Sequence, residues 1–194
     1  MKLERILPYA RVLLERAVSK GDVVVDATVG NGHDTLFLSN LVGEHGRVYG
    51  FDIQKEAIEE TASKLEEHEL RNRVMLFQEG HEIVDQAIPP VHHGAIAGAI
   101  FNLGYLPGGD ESIVTRPRTT ITAIEKLLEM MKPGGIIVLV IYHGHPEGAV
   151  ERDYLLRFAQ TIEGEQAHVL RYQFMNTDTP SPFVVAIEKR RVRG

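Results

Sequence analysis

The segment from Val23 to Thr35, VVVDATVGNGHDT, constrains the fold of this chain more than any other segment. It begins with three β-branched apolar residues, which are typical of a strand buried on both faces of a parallel sheet. The strand ends at Asp26, and a turn containing Gly30 and Gly32 leads into a helical pattern that starts at His33. Glycines in a tight strand-to-helix turn allow a ligand to approach the backbone closely. The segment therefore predicts the strand–turn–helix unit of an α/β sheet, with a binding site at the turn.

A second acidic strand end indicates the class of ligand. Another apolar strand ends just before Asp52, about 20 residues after Gly32, where a nucleotide-binding sheet carries its ribose-binding carboxylate. The dinucleotide fingerprint G-x-G-x-x-G is absent, because Thr35 stands at the third small position. The pattern Asp26-x-x-x-Gly30-x-Gly32 instead resembles the first motif of class I S-adenosylmethionine (SAM) methyltransferases. A carboxylate at the strand end suits the cationic ammonium of SAM and would repel a pyrophosphate. The alternative is an ordinary βαβ unit with a glycine turn.

Length and composition are those of one globular domain, which we expect to span residues 1–194. No cysteine is present, which excludes disulfides and cysteine-based metal sites. The amino-terminal segment is amphipathic and no apolar run has the length of a bilayer span, so we expect a cytoplasmic protein without a membrane partner. The net charge of −6 excludes a protein coated in basic charge, although a local patch such as the tail KRRVRG remains compatible with nucleic acid.

Strand and helix signals alternate along the whole chain. This alternation predicts a Rossmann-like α/β fold, with a mostly parallel sheet and helices on both faces. The loop between the last two strands is too short for a crossover helix, so these strands should pair antiparallel. The expected result is the seven-stranded sheet of class I SAM methyltransferases, with an antiparallel last strand. The predicted strands cover residues 23–27, 47–51, 74–78, 95–101, 136–141, 167–174 and 183–188, and the predicted helices cover 3–19, 33–42, 54–68, 81–87, 116–132 and 148–162.

Polar residues are concentrated where the predicted strands end, which is where open α/β sheets bind their ligands. Asp52 is expected to accept hydrogen bonds from ribose hydroxyls, and the Gly80-His81 segment lies where such folds hold adenine. Alternatively, His81 is a surface residue that begins a helix. The candidate cofactor-binding residues are Asp26, Thr28, Gly30, Asn31, Gly32, Asp34, Asp52, Ile53, Gln54, Gly80, His81 and Asn102.

The sequence Asn102-Leu103-Gly104-Tyr105 follows the predicted fourth strand. It resembles the Asn-Pro-Pro-Tyr motif of methyltransferases that modify amino nitrogens. In that motif the Asn oxygen and a backbone carbonyl accept the N–H groups of the target, and the aromatic ring stacks on the base. Both prolines are missing here, so the resemblance is partial, and capping of a turn is the alternative role for Asn102. We predict Asn102 and Tyr105 as catalytic residues.

The run Tyr142-His143-Gly144-His145-Pro146 is not required by folding. Two histidines this close suggest a metal site, but further ligands are missing and no metal is predicted. His143 is a candidate proton acceptor, and His145 is a candidate RNA contact. Arg116 and Arg118, which follow the glycine-rich loop 107–110, are candidate phosphate contacts or solvated arginines. The loop 176–183 is a candidate wall of the pocket, or a turn stiffened by proline.

Five segments together resemble one family over nearly the whole chain, namely VDATVGNGHDT, GFDIQ, FNLGYLPGGD, KPGGIIVLVIYHGHPEG and TPSPFVVAIEK. It is the small SAM-dependent family labelled "putative rRNA methylase" in firmicutes. The resemblance implies SAM as the cofactor and a role in tRNA, where the aminomethyl group of 5-aminomethyl-2-thiouridine at the wobble position is methylated. It also implies the tRNA anticodon arm as substrate. A homodimer is a further expectation, because a second subunit would supplement a weak basic surface.

Other functions stay open at this point. The same site with a different pocket would serve a SAM-dependent methyltransferase of rRNA or of a small molecule. A Rossmann-type dehydrogenase is disfavoured by Thr35 and by the acid at Asp26. A SAM-fold binding protein that has lost catalysis is disfavoured by the intact set of Asp26, Asp52 and Asn102.

Overall fold

A sheet runs through the middle of the protein and carries helices on both faces. The computed structural model describes residues 1–104, 115–177 and 179–191, which form seven strands and six α-helices. The strands are β1 (Val23–Asp26), β2 (Arg47–Phe51), β3 (Val74–Phe77), β4 (Ile96–Leu103), β5 (Met131–Ile141), β6 (Ala167–Tyr172) and β7 (Phe183–Lys189). The helices are α1 (Ile6–Ala17), α2 (His33–Val42), α3 (Lys55–Glu67), α4 (Val84–Ala87), α5 (Pro117–Met130) and α6 (Pro146–Thr161).

The strand order is β3-β2-β1-β4-β5-β7-β6. Strands β1 to β5 pair in parallel, and β7 lies between β5 and β6 and is antiparallel to both. The sheet is therefore mostly parallel with an antiparallel last strand, as predicted. Because the chain reverses its direction of travel across the sheet between β1 and β4, this is the point where open α/β sheets form their binding crevice.

The core is divided into two apolar layers, one on each face of the sheet. Successive strand side chains point to opposite faces, so neighbours along β1 belong to different layers. Val24 packs on the face covered by α1, α2 and α3, where Leu14, Leu38 and Leu65 are buried. Val25 packs on the face covered by α4, α5 and α6, where Val84, Ile124 and Leu155 are buried.

Several elements differ in length from the prediction because sheet pairing decides where a strand ends. β4 continues to Leu103 instead of residue 101, since its last two residues pair with β5. β5 begins at Met131 instead of residue 136, because Met131 pairs with Ile96 before an irregularity in the register. The predicted helix over 81–87 divides into a 3-10 turn and α4, and α1 is shorter at both ends than predicted. Asn102 consequently stands inside the ladder of two central strands.

The first residues of the basic tail lie at the edge of the sheet where the parallel strands begin. In the antiparallel pairing Phe183 stands opposite the end of β5, so β7 runs toward the edge where the parallel strands begin. There the Lys189 ammonium donates to two backbone carbonyls near the start of β5, and the Arg190 guanidinium donates to another backbone carbonyl. The contact of the tail with nucleic acid stays a prediction. Within the described ranges, none of the helices combines the length and the apolar character needed to cross a membrane.

Candidate active site

A large cavity lies at the carboxyl ends of the parallel strands. Its volume of about 1310 Å³ exceeds the roughly 300–1,000 Å³ of an ordinary small-molecule pocket. The wall is built by the loops after β1, β2, β3, β4 and β5, by α1, and by the loop before β7. Most predicted site residues line it, namely Thr28, Gly30, Asn31, Asp34, Asp52, Ile53, Gln54, Gly80, His81, Asn102, Arg116, His143 and His145. The cavity therefore offers room for a nucleotide-sized ligand and part of a second molecule.

The turn between β1 and α2 is fixed from behind by α3. Gly30 and Gly32 both have a positive φ, at 51° and 78°, and residues with a side chain rarely adopt such a backbone conformation. The Thr61 hydroxyl donates to the Gly30 carbonyl at 3.2 Å, and the Lys64 ammonium donates to the Asn31 carbonyl at 2.8 Å. A Cβ atom on Gly32 would lie 2.6 Å from Thr61 Oγ1. Gly32 is thus required for packing against α3, whereas Gly30 and Asn31 reach the cavity.

Asp52 joins the end of β2 to the glycine turn. Its Oδ2 accepts from the Gly30 N–H at 2.9 Å, and its Oδ1 accepts from the Gln54 N–H at 3.0 Å. A carboxylate has about four lone-pair sites, so each oxygen can accept a further hydrogen bond. Since Asp52 also lines the cavity, it can bind a hydroxyl-bearing ligand while holding the turn.

Asp26 lies behind the cavity wall. It is fully buried, its Oδ2 accepts from the Thr35 hydroxyl at 2.6 Å, and its Oδ1 accepts from the Thr28 N–H at 3.2 Å. Burial, and then the negative charge of Asp34, raise the pKa of Asp26 to about 7. The acid of this turn that lines the cavity is therefore Asp34, and the contact of Asp26 with the cofactor stays a prediction.

The Asn102 side chain takes part in a chain of polar contacts that reaches α1. Its backbone N–H donates to Thr28 Oγ1 at 2.7 Å, and its Nδ2 donates to Asp34 Oδ2 at 2.7 Å. The guanidinium of Arg11 donates to the other oxygen of Asp34, at 3.0 Å from Nη2 and 3.3 Å from Nε. The sequence analysis missed Arg11. No local sequence signal marks Arg11, because its place beside Leu7 at the cavity depends on how α1 packs on the sheet.

The backbone beside Asn102 is engaged in hydrogen bonds. The Leu103 carbonyl accepts from the Tyr142 N–H at 3.1 Å, and the Gly104 carbonyl accepts from the Thr115 N–H at 3.1 Å. Tyr105 and the loop 107–110 lie outside the described residues, so the predicted stacking role of Tyr105 stays a prediction. Among the described residues, the aromatic side chain exposed at the cavity is Tyr142, which is 37% exposed.

A buried carboxyl group is linked by hydrogen bonds to the backbone that follows β4. Glu151 of α6 accepts from the hydroxyls of Thr115 and Thr120, and the second contact measures 2.9 Å. Thr115 Oγ1 in turn accepts from the Gly104 N–H at 3.1 Å. Burial raises the pKa of Glu151. The sequence analysis did not select Glu151, because a single acid on a helix carries no local sign of burial.

His81 is part of the buried wall and not a surface residue. It is 7% exposed, and its Nδ1 lies 2.8 Å from the Ala27 carbonyl. A carbonyl can only accept, so Nδ1 carries the proton and Nε2 is a bare acceptor in the neutral ring. Burial lowers the pKa of His81, which keeps this neutral form at pH 7. Among the described residues, no donor reaches the buried Nε2.

The two histidines after β5 both have structural contacts. His143 Nε2 lies 2.8 Å from the Ser181 carbonyl and therefore donates, and His143 Nδ1 lies 3.4 Å from Nη1 of Arg152. The His145 side chain caps α6, where its Nδ1 accepts from the Gly148 N–H at 3.0 Å. These contacts position the rings, and they leave the predicted roles of His143 in proton transfer and of His145 in RNA binding as predictions.

The rim contains the remaining predicted residues. Arg116 precedes α5 and lines the cavity, whereas Arg118 is exposed on the first turn of α5. Pro180 and Pro182 line the cavity, so the loop before β7 forms part of the wall, as predicted. Over the described ranges, no group of three or more His, Asp or Glu side chains is arranged to hold a metal ion.

The chain is similar to known proteins over nearly its whole length. Residues 48–188 match the family described as "Putative rRNA methylase". The chain is 38% identical over 189 residues to the Arabidopsis thaliana protein named tRNA (mnm(5)s(2)U34)-methyltransferase, chloroplastic, and the match covers 93% of this chain and 68% of that protein.

Two crystal structures show the same architecture. The "putative rRNA-methylase" from Clostridium thermocellum is 43% identical, covers 97% of this chain and 100% of its own, and superimposes with a TM-score of 0.93. A "putative methyltransferase" from Streptococcus mutans, solved in complex with SAH, is 36% identical with a TM-score of 0.86, and the match covers 96% and 99% of the two chains. These similarities confirm the predicted family and fold. The chain belongs to the rRNA methylase family of SAM-dependent methyltransferases.

Proposed function

We propose that this protein uses SAM to methylate the aminomethyl nitrogen of 5-aminomethyl-2-thiouridine at the wobble position of tRNA. The observation that carries the proposal is the position of Asn102. Its amide stands at the cavity wall, between two central strands, in a chain that is 38% identical to a relative named for methylation at this nucleotide. An amide oxygen at that place suits an amino group as methyl acceptor.

The cavity wall fits an adenine nucleoside. Asp52 offers free lone pairs for the ribose hydroxyls, and His81 stands in the part of the wall predicted to hold adenine. The predicted cofactor residues Gly30, Asn31, Ile53, Gln54 and Gly80 surround these two groups in the same wall. When bound, SAM supplies an activated methyl group on a sulfonium. Asp26 and Gly32 support the binding turn from behind.

The acceptor side must present a neutral amine. An alkylamine such as the Lys side chain has a pKa of about 10 and is mostly protonated at neutral pH. Asn102 Oδ1 can accept an N–H of the neutral amine and so fix the direction of its lone pair, which makes positioning the main catalytic contribution of the chain. Tyr142 is exposed at the cavity and offers a ring on which an unstacked base can lie, which is the role that the sequence predicts for Tyr105.

Proton removal is assigned to His143 or to water. The Nδ1 atom of His143 is the lone-pair nitrogen of the ring, and Arg152 lies 3.4 Å from it. That contact is long, and catalytic hydrogen bonds often rearrange when the substrate binds. For His143 to accept a proton, Arg152 must withdraw from Nδ1.

The RNA footprint is assigned to the rim of the cavity. Arg116 and Arg118 are exposed beside the acceptor side and can contact phosphates, and His145 begins the neighbouring helix. An anticodon arm is compact enough for this small basic area in a chain of net charge −6. A cytoplasmic location and a homodimer stay predictions from the sequence.

The decisive experiment uses purified protein, SAM and two matched tRNA preparations. One preparation carries 5-aminomethyl-2-thiouridine, and the other has the same sequence without the aminomethyl group. Nucleoside mass spectrometry should show one added methyl on the first and none on the second, and rising salt should weaken binding as phosphate contacts are lost. Methylation of naked rRNA without reaction on either tRNA would overturn the proposal in favour of an rRNA substrate.

A further inference from the structure

We propose that Arg11 and Asp34 position the Asn102 amide, so that its oxygen and not its nitrogen faces the methyl acceptor. The inference rests on the proposed function, because it concerns an amino acceptor beside Asn102. It gives Asp34 a role through Asn102 in place of the predicted direct contact with the cofactor. It also gives a role to a residue of α1, far from every sequence motif of the site.

The direction of the amide follows from the chemistry of its partner. The carboxylate of Asp34 can only accept, and it lies 2.7 Å from Asn102 Nδ2. With the amide reversed, two oxygen atoms would face each other at this distance and repel. Asp34 therefore selects one of the two amide orientations, and the selected orientation leaves Oδ1 as the acceptor that Asn102 can offer.

The backbone of Asn102 is already fixed by the fold. Its backbone N–H donates to Thr28 Oγ1 at 2.7 Å, and its position in β4 pairs with Val140 of β5. These backbone contacts leave the side-chain torsions χ1 and χ2 free, and the hydrogen bond to Asp34 restricts both.

Arg11 holds Asp34 in place. Two guanidinium nitrogens donate to the oxygen of Asp34 that does not face Asn102, at 3.0 and 3.3 Å. The guanidinium also lies over the Phe37 ring, with its carbon 4.9 Å from the ring centre. A two-pronged, charge-assisted contact restricts the carboxylate more than a single point contact would. α1 thus closes one side of the cavity and fixes a side chain on α2.

The orientation matters for nitrogen as nucleophile. A neutral primary amine has two N–H donors and one lone pair, and the lone pair must stay free to attack the methyl group. An amide oxygen beside it accepts an N–H and leaves the lone pair free. An amide NH₂ in the same place would donate to the lone pair and block it. The pair Arg11–Asp34 is therefore expected to affect turnover and not SAM affinity.

The test compares Asp34→Asn and Arg11→Gln with two matched controls. Asp34→Asn keeps the shape, but an amide at residue 34 can both donate and accept, so both orientations of Asn102 become accessible. Glu56→Gln removes an exposed acid from the first turn of α3, the helix position that the partly buried Asp34 occupies in α2, and Arg16→Gln removes an exposed arginine from α1. Urea denaturation verifies that these four variants, Arg11→Lys and Asn102→Ala are folded.

Three measurements are made on each variant. Turnover at saturating SAM and tRNA should fall about twofold or more in Asp34→Asn, because the reactive orientation of Asn102 is then only partly populated, and it should fall less in Arg11→Lys than in Arg11→Gln. The dissociation constant of SAM, from calorimetry, should change less than about twofold. The side-chain NH₂ signals of Asn102, assigned by their loss in Asn102→Ala, should shift in Asp34→Asn. Both controls should match the wild type in all three.

Two outcomes overturn the inference. One is unchanged turnover and unchanged Asn102 signals in Asp34→Asn, with an active wild type. The other is a collapse of SAM affinity with normal turnover at saturating SAM, which would make Asp34 a cofactor residue. Failure of the wild type to methylate the aminomethyl-bearing tRNA counts against the proposed function instead, and the Asn102 signals then still test the orientation.

Discussion

The buried carboxyl group of Asp26 should make the stability of this protein fall as the pH rises. Its pKa is raised from 3.8 to about 7, first by burial and then by the charge of Asp34, against the hydrogen bonds from Thr35 and Thr28. In the unfolded chain an Asp titrates near 3.9. Between these two pKa values the folded state binds more protons than the unfolded state, so the free energy of unfolding decreases with rising pH. The stability lost in this window is fully present below about pH 4.

The size of the effect follows from the two pKa values. One pH unit corresponds to about 1.4 kcal/mol, so the rise from 3.8 to about 7 represents at most ~4 kcal/mol. Of this, ~2–3 kcal/mol falls between pH 5 and pH 8. Asp26→Asn removes the titration and keeps the shape, since the amide oxygen can accept from the Thr28 N–H and Nδ2 can donate to Thr35 Oγ1. The stability of the variant relative to the wild type should therefore increase by ~2–3 kcal/mol from pH 5 to pH 8.

Urea denaturation of both proteins at pH 5, 6, 7 and 8 measures this difference, and groups that titrate equally in both proteins cancel. Asp153→Asn is the matched control, because that carboxyl group is exposed and its pKa is lowered by Arg152. The control should show no rise relative to the wild type over the same range. A flat difference for Asp26→Asn between pH 5 and pH 8 would refute the reasoning that a buried, charged Asp26 opposes folding.

Three further predictions address the binding turn and the acceptor residue. Asp52→Ala should weaken SAM binding by about 1.5–3 kcal/mol per lost ribose hydrogen bond, and calorimetry that detects no loss would contradict the ribose role. Asn102→Ala should lower turnover at saturating SAM by about tenfold or more while SAM affinity changes little; the reverse pattern would remove Asn102 from the acceptor site. Gly32→Ala should destabilise the fold by about 1–3 kcal/mol, because φ is positive and Thr61 Oγ1 would lie 2.6 Å from the new Cβ. The control for Gly32→Ala is Gly164→Ala, whose added Cβ would meet no atom within 4 Å. Equal denaturation midpoints for the two variants would contradict the steric argument.

The fold was largely predictable because its signals are local. Apolar runs, helical periodicity and glycine turns gave the type and order of the elements, and α2 and β2 match their predicted bounds. The ends of β4 and β5 were misplaced, because these residues are held by pairing between strands that are distant in sequence. The residues Lys132 to Gly135 favour a turn between a helix and a strand. The pairing of β4 with β5 nevertheless places them inside β5.

The candidate site was predictable in position more than in contacts. Residues at the ends of parallel strands meet at one edge by geometry, so Asp52, His81 and Asn102 line one cavity, as expected. Asp26 was expected to meet the ligand, and its side chain is turned into the protein behind the turn. Arg11 could not be found, because its position depends on how α1 crosses the sheet.

Local sequence patterns predict an α/β chain, a glycine turn between two acidic strand ends, and an amide after a central strand, because each depends on neighbours a few residues apart. The three-dimensional packing is needed to tell that Asp26 is buried while Asp34 reaches the cavity, and that Asp34 is the partner of the Asn102 amide. Those outcomes depend on the packing of α1, α2 and β4, which are brought together only when the core closes. The hydrogen bonds of Asp34 with Arg11 and with Asn102 join residues that are far apart in the sequence, so no local spacing predicts them.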